Sequence, residues 1–170
     1  MSTDAVAIAA QRLIDLMPTD VPWERQRFVD TVASVRGRPI RLVSVTSERL
    51  GGVTCAGTTC GLWLARDTDD LLVYGCDTSA YNADQVICHE IGHMMLAHET
   101  SPHADFRFEQ LGSLMPSLAN SSILRALGRS DYDEQAERDA EAFADLVMIE
   151  AMTVRQRRVS AMRSTFFRGR

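Results

Sequence analysis

The chain reads as an α+β domain, mainly helical with a small three-stranded sheet, and three features of its 170 residues predict this. Two amphipathic segments precede any strand-like run. Three short runs of apolar and β-branched residues, bounded by turn formers, follow between residues 39 and 74. The helical period then returns near residue 82 and again near 132.

Val6, Ala10, Leu13 and Met17 recur at helical spacing and stop at Pro18, which predicts a first helix over about 4–17. After Asp20 and Pro22, Phe28, Val32 and Val35 mark the buried face of a second helix, closed by Gly37 and Pro39. Pro39 to Val45 reads as a strand. Gly61 to Arg66 and Leu71 to Tyr74, either side of Asp67-Thr68-Asp69-Asp70, predict a hairpin with a four-residue loop. Leu71 to Tyr74 is expected to be a core strand, the alternative being an open edge on which a peptide could add. Asn82 and Gln85 form a variant capping box ahead of Val86, Ile87, Ile91 and Met95. Pro102, Gly112 and Pro116 interrupt the stretch to Asp131, where Ile123, Leu124 and Leu127 predict a short helix. A long helix from 132 to about 150, with Ala136, Ala140, Phe143, Leu146 and Val147 apolar, leads into a basic helix or tail.

A 45% hydrophobic content suffices for the core of one domain, expected over residues 1–152 with 153–170 as its basic extension. No run approaches the roughly 18 apolar residues of a membrane span. The first ten residues carry Asp4 and no basic stretch, so a cytoplasmic protein with no membrane partner is expected. Cys55, Cys60, Cys76 and Cys88 lack a C-x-x-C spacing and read as reduced, small buried groups, with a Cys55/Cys60 redox pair as the alternative. All 18 basic residues are arginines, and the net charge of −5 hides an asymmetry. Residues 153–170 hold six arginines and no acid, leaving 12 basic against 23 acidic residues, or −11, before them. Such a segment suits nucleic acid phosphates or an acidic partner; a solvated helix end whose charges complement the dipole is the alternative.

The chemistry concentrates in His89-Glu90-Ile91-Gly92-His93, an H-E-x-x-H motif inside an expected helix. At about 100° per residue, His93 lies about 40° round the helix from His89, and Glu90 falls on the same broad side. Zinc takes neutral imidazole nitrogens readily, and a catalytic site uses three protein ligands with one open position. Glu90, beside the metal, would accept a proton from the attacking water and return it to the leaving amine. His98 is excluded as third ligand, because a continuing helix carries it about 180° from His89. Glu137 is the candidate instead, on the helix Glu137-Arg138-Asp139-Ala140-Glu141-Ala142-Phe143-Ala144. Glu141 shares its face and is expected to support a ligating histidine or, less often, to be the ligand itself, whereas Asp139 should point away. Ala140 would allow close approach, and Gly92, which costs about 1 kcal/mol in mid-helix, marks a close passage or simple tolerance. Tyr74, Tyr81, Tyr132 and His103 are candidates for stabilising an oxyanion.

His89 to His93, followed by the E-x-x-A-x-x-F-A run of Glu137 to Ala144, resembles the ImmA/IrrE family of zinc metallopeptidases, of the gluzincin type. The resemblance covers roughly residues 20–150, in the order leading helices, small sheet, motif helix, trailing helix. It implies a zincin-like domain whose three-stranded sheet packs against the motif helix. It further implies an intracellular endopeptidase that cuts a protein substrate, a helix-turn-helix transcription repressor, and thereby regulates gene expression. The rival expectation is a non-catalytic regulatory partner of a DNA-binding protein, its zinc structural or lost. After Ala144 the chain lacks the family's frequent leucine-rich run ending in Met-Pro, and Glu141 stands where Asn or Asp is frequent; neither departure removes a ligand.

Overall fold

The computed structural model describes residues 3–17, 23–46, 48, 50, 54–55, 58–59, 61–98, 123–127 and 134–166. Helices α1 (Thr3–Ile14) and α2 (Arg25–Arg36) lead, as their apolar spacing predicts. Val6, Ala10 and Leu13 of α1 and Phe28, Val29 and Val32 of α2 are buried. Gly37 ends α2 with φ of 65°, a left-handed cap that suits glycine. Strands β1 (Ile40–Val45), β4 (Leu62–Arg66) and β5 (Asp70–Gly75) are the three expected ones, and β2 (Thr54–Cys55) and β3 (Thr58–Thr59) form a separate small ladder. The motif helix is α3 (Ala80–Met95), and α4 (Glu134–Phe166) is the trailing one.

A fourth strand, β6 (Ile123–Leu127), joins the sheet where the sequence predicts a short helix. The sheet order is β1-β5-β4-β6, with β1 parallel to β5 and the remaining pairs antiparallel. A five-residue segment with Arg125 at its centre carries too few turns to fix its period, and the unpaired side of β4 supplies backbone partners that decide the matter. Strand β5, flanked by β1 and β4, lies inside the sheet and offers no open edge to a peptide. Two further details differ from expectation. Helix α3 is capped by Ser79, whose hydroxyl accepts from the Asn82 N–H at 3.1 Å, rather than by an Asn82/Gln85 box. The hairpin loop is one residue shorter than expected, because Asp70 belongs to β5.

The alternation of β4 and β5 divides the core. Trp63 and Leu72 face the helices, joining Leu13, Phe28, Ile87, Ile91, Phe143 and Val147 in the larger cluster. Leu62, Leu64, Leu71 and Val73 face the other way, against Leu50. Helix α4 runs unbroken through the boundary expected after residue 152. Among the described residues, no helix is long and apolar enough to cross a membrane.

The start of β5 is tied to the helices by charge. Asp70, wholly buried, accepts from Arg36 Nη2 at 3.1 Å and Arg38 Nε at 3.2 Å. Arg36 also donates to the Met94 carbonyl at 2.9 Å, so one guanidinium joins the sheet to the C-terminal end of α3. At the other end of that helix, Asp84 accepts from Arg25 at 2.6 Å and from the Trp23 indole at 3.2 Å. Beside Asp70, Asp69 is buried against Arg66, whose Nε donates to it at 2.7 Å. The Arg66 hydrogen bond, with the charges of Arg66, Arg41 and Arg38, outweighs burial and holds the Asp69 carboxyl below its ordinary value. A depressed carboxylate stabilises the fold above its unfolded pKa and loses that contribution as pH falls through the folded value. Asp69→Asn should therefore lower unfolding free energy by about 1–3 kcal/mol at neutral pH. In urea titrations the gap from the parent protein should narrow as the pH drops below the ordinary aspartate value of 3.8.

Candidate metal centre

Helices α3 and α4 run antiparallel in a four-residue register that sets the site. Gln85 donates to Asp145 at 3.0 Å, His89 meets Glu141 one turn on, and His93 meets Glu137 one turn beyond that. Residues four apart stack along one helix face, so a single face of each helix supplies all three steps. Close approach at the middle step rests on two small residues. A Cβ on Gly92 would lie 3.0 Å from the Ala140 carbonyl oxygen and 3.1 Å from its Cα, with Phe143 Cδ1 at 3.3 Å. Ala140 is itself fully buried. The mid-helix glycine is thus a place of close passage, by α4.

At the end of this ladder His89, His93 and Glu137 converge, with one ligand atom from each lying within 4.8 Å of the others. His89 Nε2 and His93 Nε2 are 3.1 Å apart, while Glu137 Oε2 lies 3.7 Å from the first and its other oxygen, Oε1, 3.6 Å from the second. A tetrahedral zinc with bonds of about 2.0–2.1 Å separates its ligand atoms by about 3.3–3.4 Å, close to the spacing of the two nitrogens and of the carboxylate from each. Glu141, largely exposed, is not part of the converging group. Its Oε2 sits 3.2 Å from His89 Nδ1, on the far side of that ring. A carboxylate can only accept, so that contact places a proton on Nδ1 and leaves Nε2 as the nitrogen that faces the group. Asp139 is buried but outside the group, accepting instead from Gln135 at 2.7 Å.

The two histidines have opposite electrostatic surroundings. Burial opposes charge on His89, yet the Glu141 hydrogen bond and the charges of Glu90, Glu137 and Glu141 prevail and raise its pKa. His93 is 1% exposed. Burial, then the neighbouring His89 and His98, push its pKa down to about 2, which keeps its ring neutral and able to offer a lone pair. A divalent cation among these groups would replace the proton that the carboxylates favour on His89.

Glu90 is 5% exposed, beneath the start of β4. Gly61 passes so near that a Cβ there would fall 2.7 Å from Glu90 Cγ and 2.9 Å from its Oε1. No sequence signal pointed to Gly61, because its neighbour in space lies 29 positions away. Of the oxyanion candidates, the Tyr74 hydroxyl accepts from Arg25 Nη1 at 3.3 Å and Tyr81 is exposed in the first turn of α3. His103 and Tyr132 lie outside the described residues. Cys88, beside His89, is buried and its thiol pKa is pushed up by burial and by Asp84. Cys76 is exposed rather than buried, and the side chains of Cys55 and Cys60 lie outside the described residues.

In comparisons with known proteins, no family model, no curated protein and no solved structure matches the chain.

Gly92→Ala should gain about 1 kcal/mol of helix propensity and lose more by forcing α3 from α4. A net destabilisation of about 1–2 kcal/mol is expected in urea unfolding, whereas a stabilised variant would mean that the helices have room to spare.

Proposed function

We propose that the chain is a zinc-dependent endopeptidase acting on a protein substrate. The observation that carries this reading is the convergence of His89, His93 and Glu137, one ligand atom from each within 4.8 Å of the others, with Glu90 buried one residue from the first of them. His89 and His93 would hold the ion through Nε2 and Glu137 through a carboxylate oxygen. Zinc, when bound, supplies a Lewis acid that polarises the scissile carbonyl and acidifies water. Glu90 takes a proton from the attacking water and delivers it to the departing amine, serving in turn as base and acid. Gly61 leaves its carboxylate room to do so. Glu141 keeps His89 oriented, and the neutral His93 needs no proton removed before it binds metal.

The resemblance of these residues to the ImmA/IrrE metallopeptidases supports a helix-turn-helix transcription regulator as the first substrate to test, with control of gene expression as the consequence. The six arginines of residues 153–170 are a candidate contact for such a partner or for its DNA.

Elemental mass spectrometry and digestion of a proteome-derived peptide library test the reading together. Near-stoichiometric zinc is expected in the parent protein and in Glu90→Gln, and its loss in Glu137→Ala. Library cleavage should fall about 10²–10⁴-fold in Glu90→Gln while zinc stays bound. A parent protein that neither carries zinc nor can be loaded with it would remove the peptidase reading and favour a non-catalytic regulatory partner.

A further inference from the structure

A continuing helix would carry His98 about 180° from His89. Helix α3 ends at Met95 instead, and Ala97 takes φ of 51°, the only positive value at a non-glycine position among the described residues. The His98 N–H then donates to the His93 carbonyl at 3.2 Å, the long bond of a Schellman turn. A left-handed conformation costs an alanine roughly 1–2 kcal/mol, so this ending is not one that local preference selects. Its result is to return His98 to the ring of His93. The two Nδ1 atoms lie 2.9 Å apart and the rings meet edge to face, with centroids 5.1 Å apart.

We propose that His98 is a positioning residue for His93, accepting a hydrogen bond at its Nδ1 from His93 Nδ1–H and thereby holding His93 in the tautomer whose Nε2 lone pair faces His89 and Glu137. The proposal rests on reading that triad as a metal centre. A bond between two like ring nitrogens requires one to donate and the other to accept. An imidazole that offers one ring nitrogen to a metal ion carries its single proton on the other. On Nε2 that proton would stand where a metal ion must bind, between His93 and His89; on Nδ1 it meets His98. The second ring thus does for His93 what the Glu141 carboxylate does for His89. His98 is no ligand: it contacts the nitrogen of His93 that faces away from the triad.

The test uses the full chain with ¹⁵N-labelled histidine, reading ring tautomers by NMR and zinc affinity by competition with a chromophoric chelator. In the metal-free parent protein His93 should carry its proton on Nδ1. His98→Phe keeps a ring but no acceptor; it should let the His93 tautomers mix and weaken zinc binding by about 10–100-fold. His98→Asn, whose amide oxygen can take the place of Nδ1, should restore both. Parent-like zinc affinity and tautomer in His98→Phe would overturn the proposal. So would an Asn variant as impaired as the Phe variant, which would mark the role as packing alone. Were His98→Phe not to fold, an Nε2-protonated His93 in the parent protein would still be decisive against it. Failure of the metal-centre reading looks different, as a parent protein with no zinc affinity; the metal-free tautomers of the parent and His98→Asn proteins then decide the positioning role alone.

Discussion

The distance between α3 and α4 governs the rest of the site. Gly92 lies against Ala140 so closely that a single added methyl group would reach the α4 backbone. From that contact the four-residue register runs both ways, to Gln85 with Asp145 and to His93 with Glu137. A larger residue in place of Gly92 or Ala140 would push the helices apart and draw Glu137 away from the two imidazoles of the opposite helix. The remainder of the fold keeps α3 from shifting along α4. Arg36 and Asp70 hold its C-terminal end, and Arg25 and Asp84 hold its N-terminal end.

Opposed electrostatic demands meet at this point. Three carboxylates around His89 favour a proton there, while burial beside other imidazoles denies one to His93. A divalent cation at this point would take the place of the proton on His89 and use the lone pair left on His93. Perturbed histidines and a strained backbone at Ala97 gather within a few residues, which is where functional sites tend to store strain. The same arrangement gives each imidazole a separate partner for its outward nitrogen, Glu141 for His89 and His98 for His93.

Much of this was legible in the residues. Helical spacing alone carries His89 and His93 to one face, and an acidic helix with small residues on the same side offers Glu137 and Glu141, while the packing of the two helices selects Glu137 for the converging group. The expected helices and three strands are present because their periods are set locally. What could not be read is what depends on long-range pairing or on a broken period. Ile123–Leu127 becomes a strand only because β4 has a free side. Asp70 looks like a loop residue until Arg36 and Arg38 are brought to it. Gly61 gives no local sign of Glu90, and His98 leaves the helical wheel at Ala97, where an L-residue in a left-handed conformation is a poor guess from sequence.

The central claim is that two imidazoles and one carboxylate from α3 and α4, with no thiolate, hold a zinc ion. X-ray absorption at the zinc edge of the purified, zinc-loaded protein tests it most directly. The account predicts a shell of four nitrogen and oxygen scatterers at about 2.0–2.1 Å with the multiple-scattering signature of two histidines. A sulfur shell near 2.3 Å, which would bring cysteine into the site, or a six-coordinate shell without imidazole would contradict it.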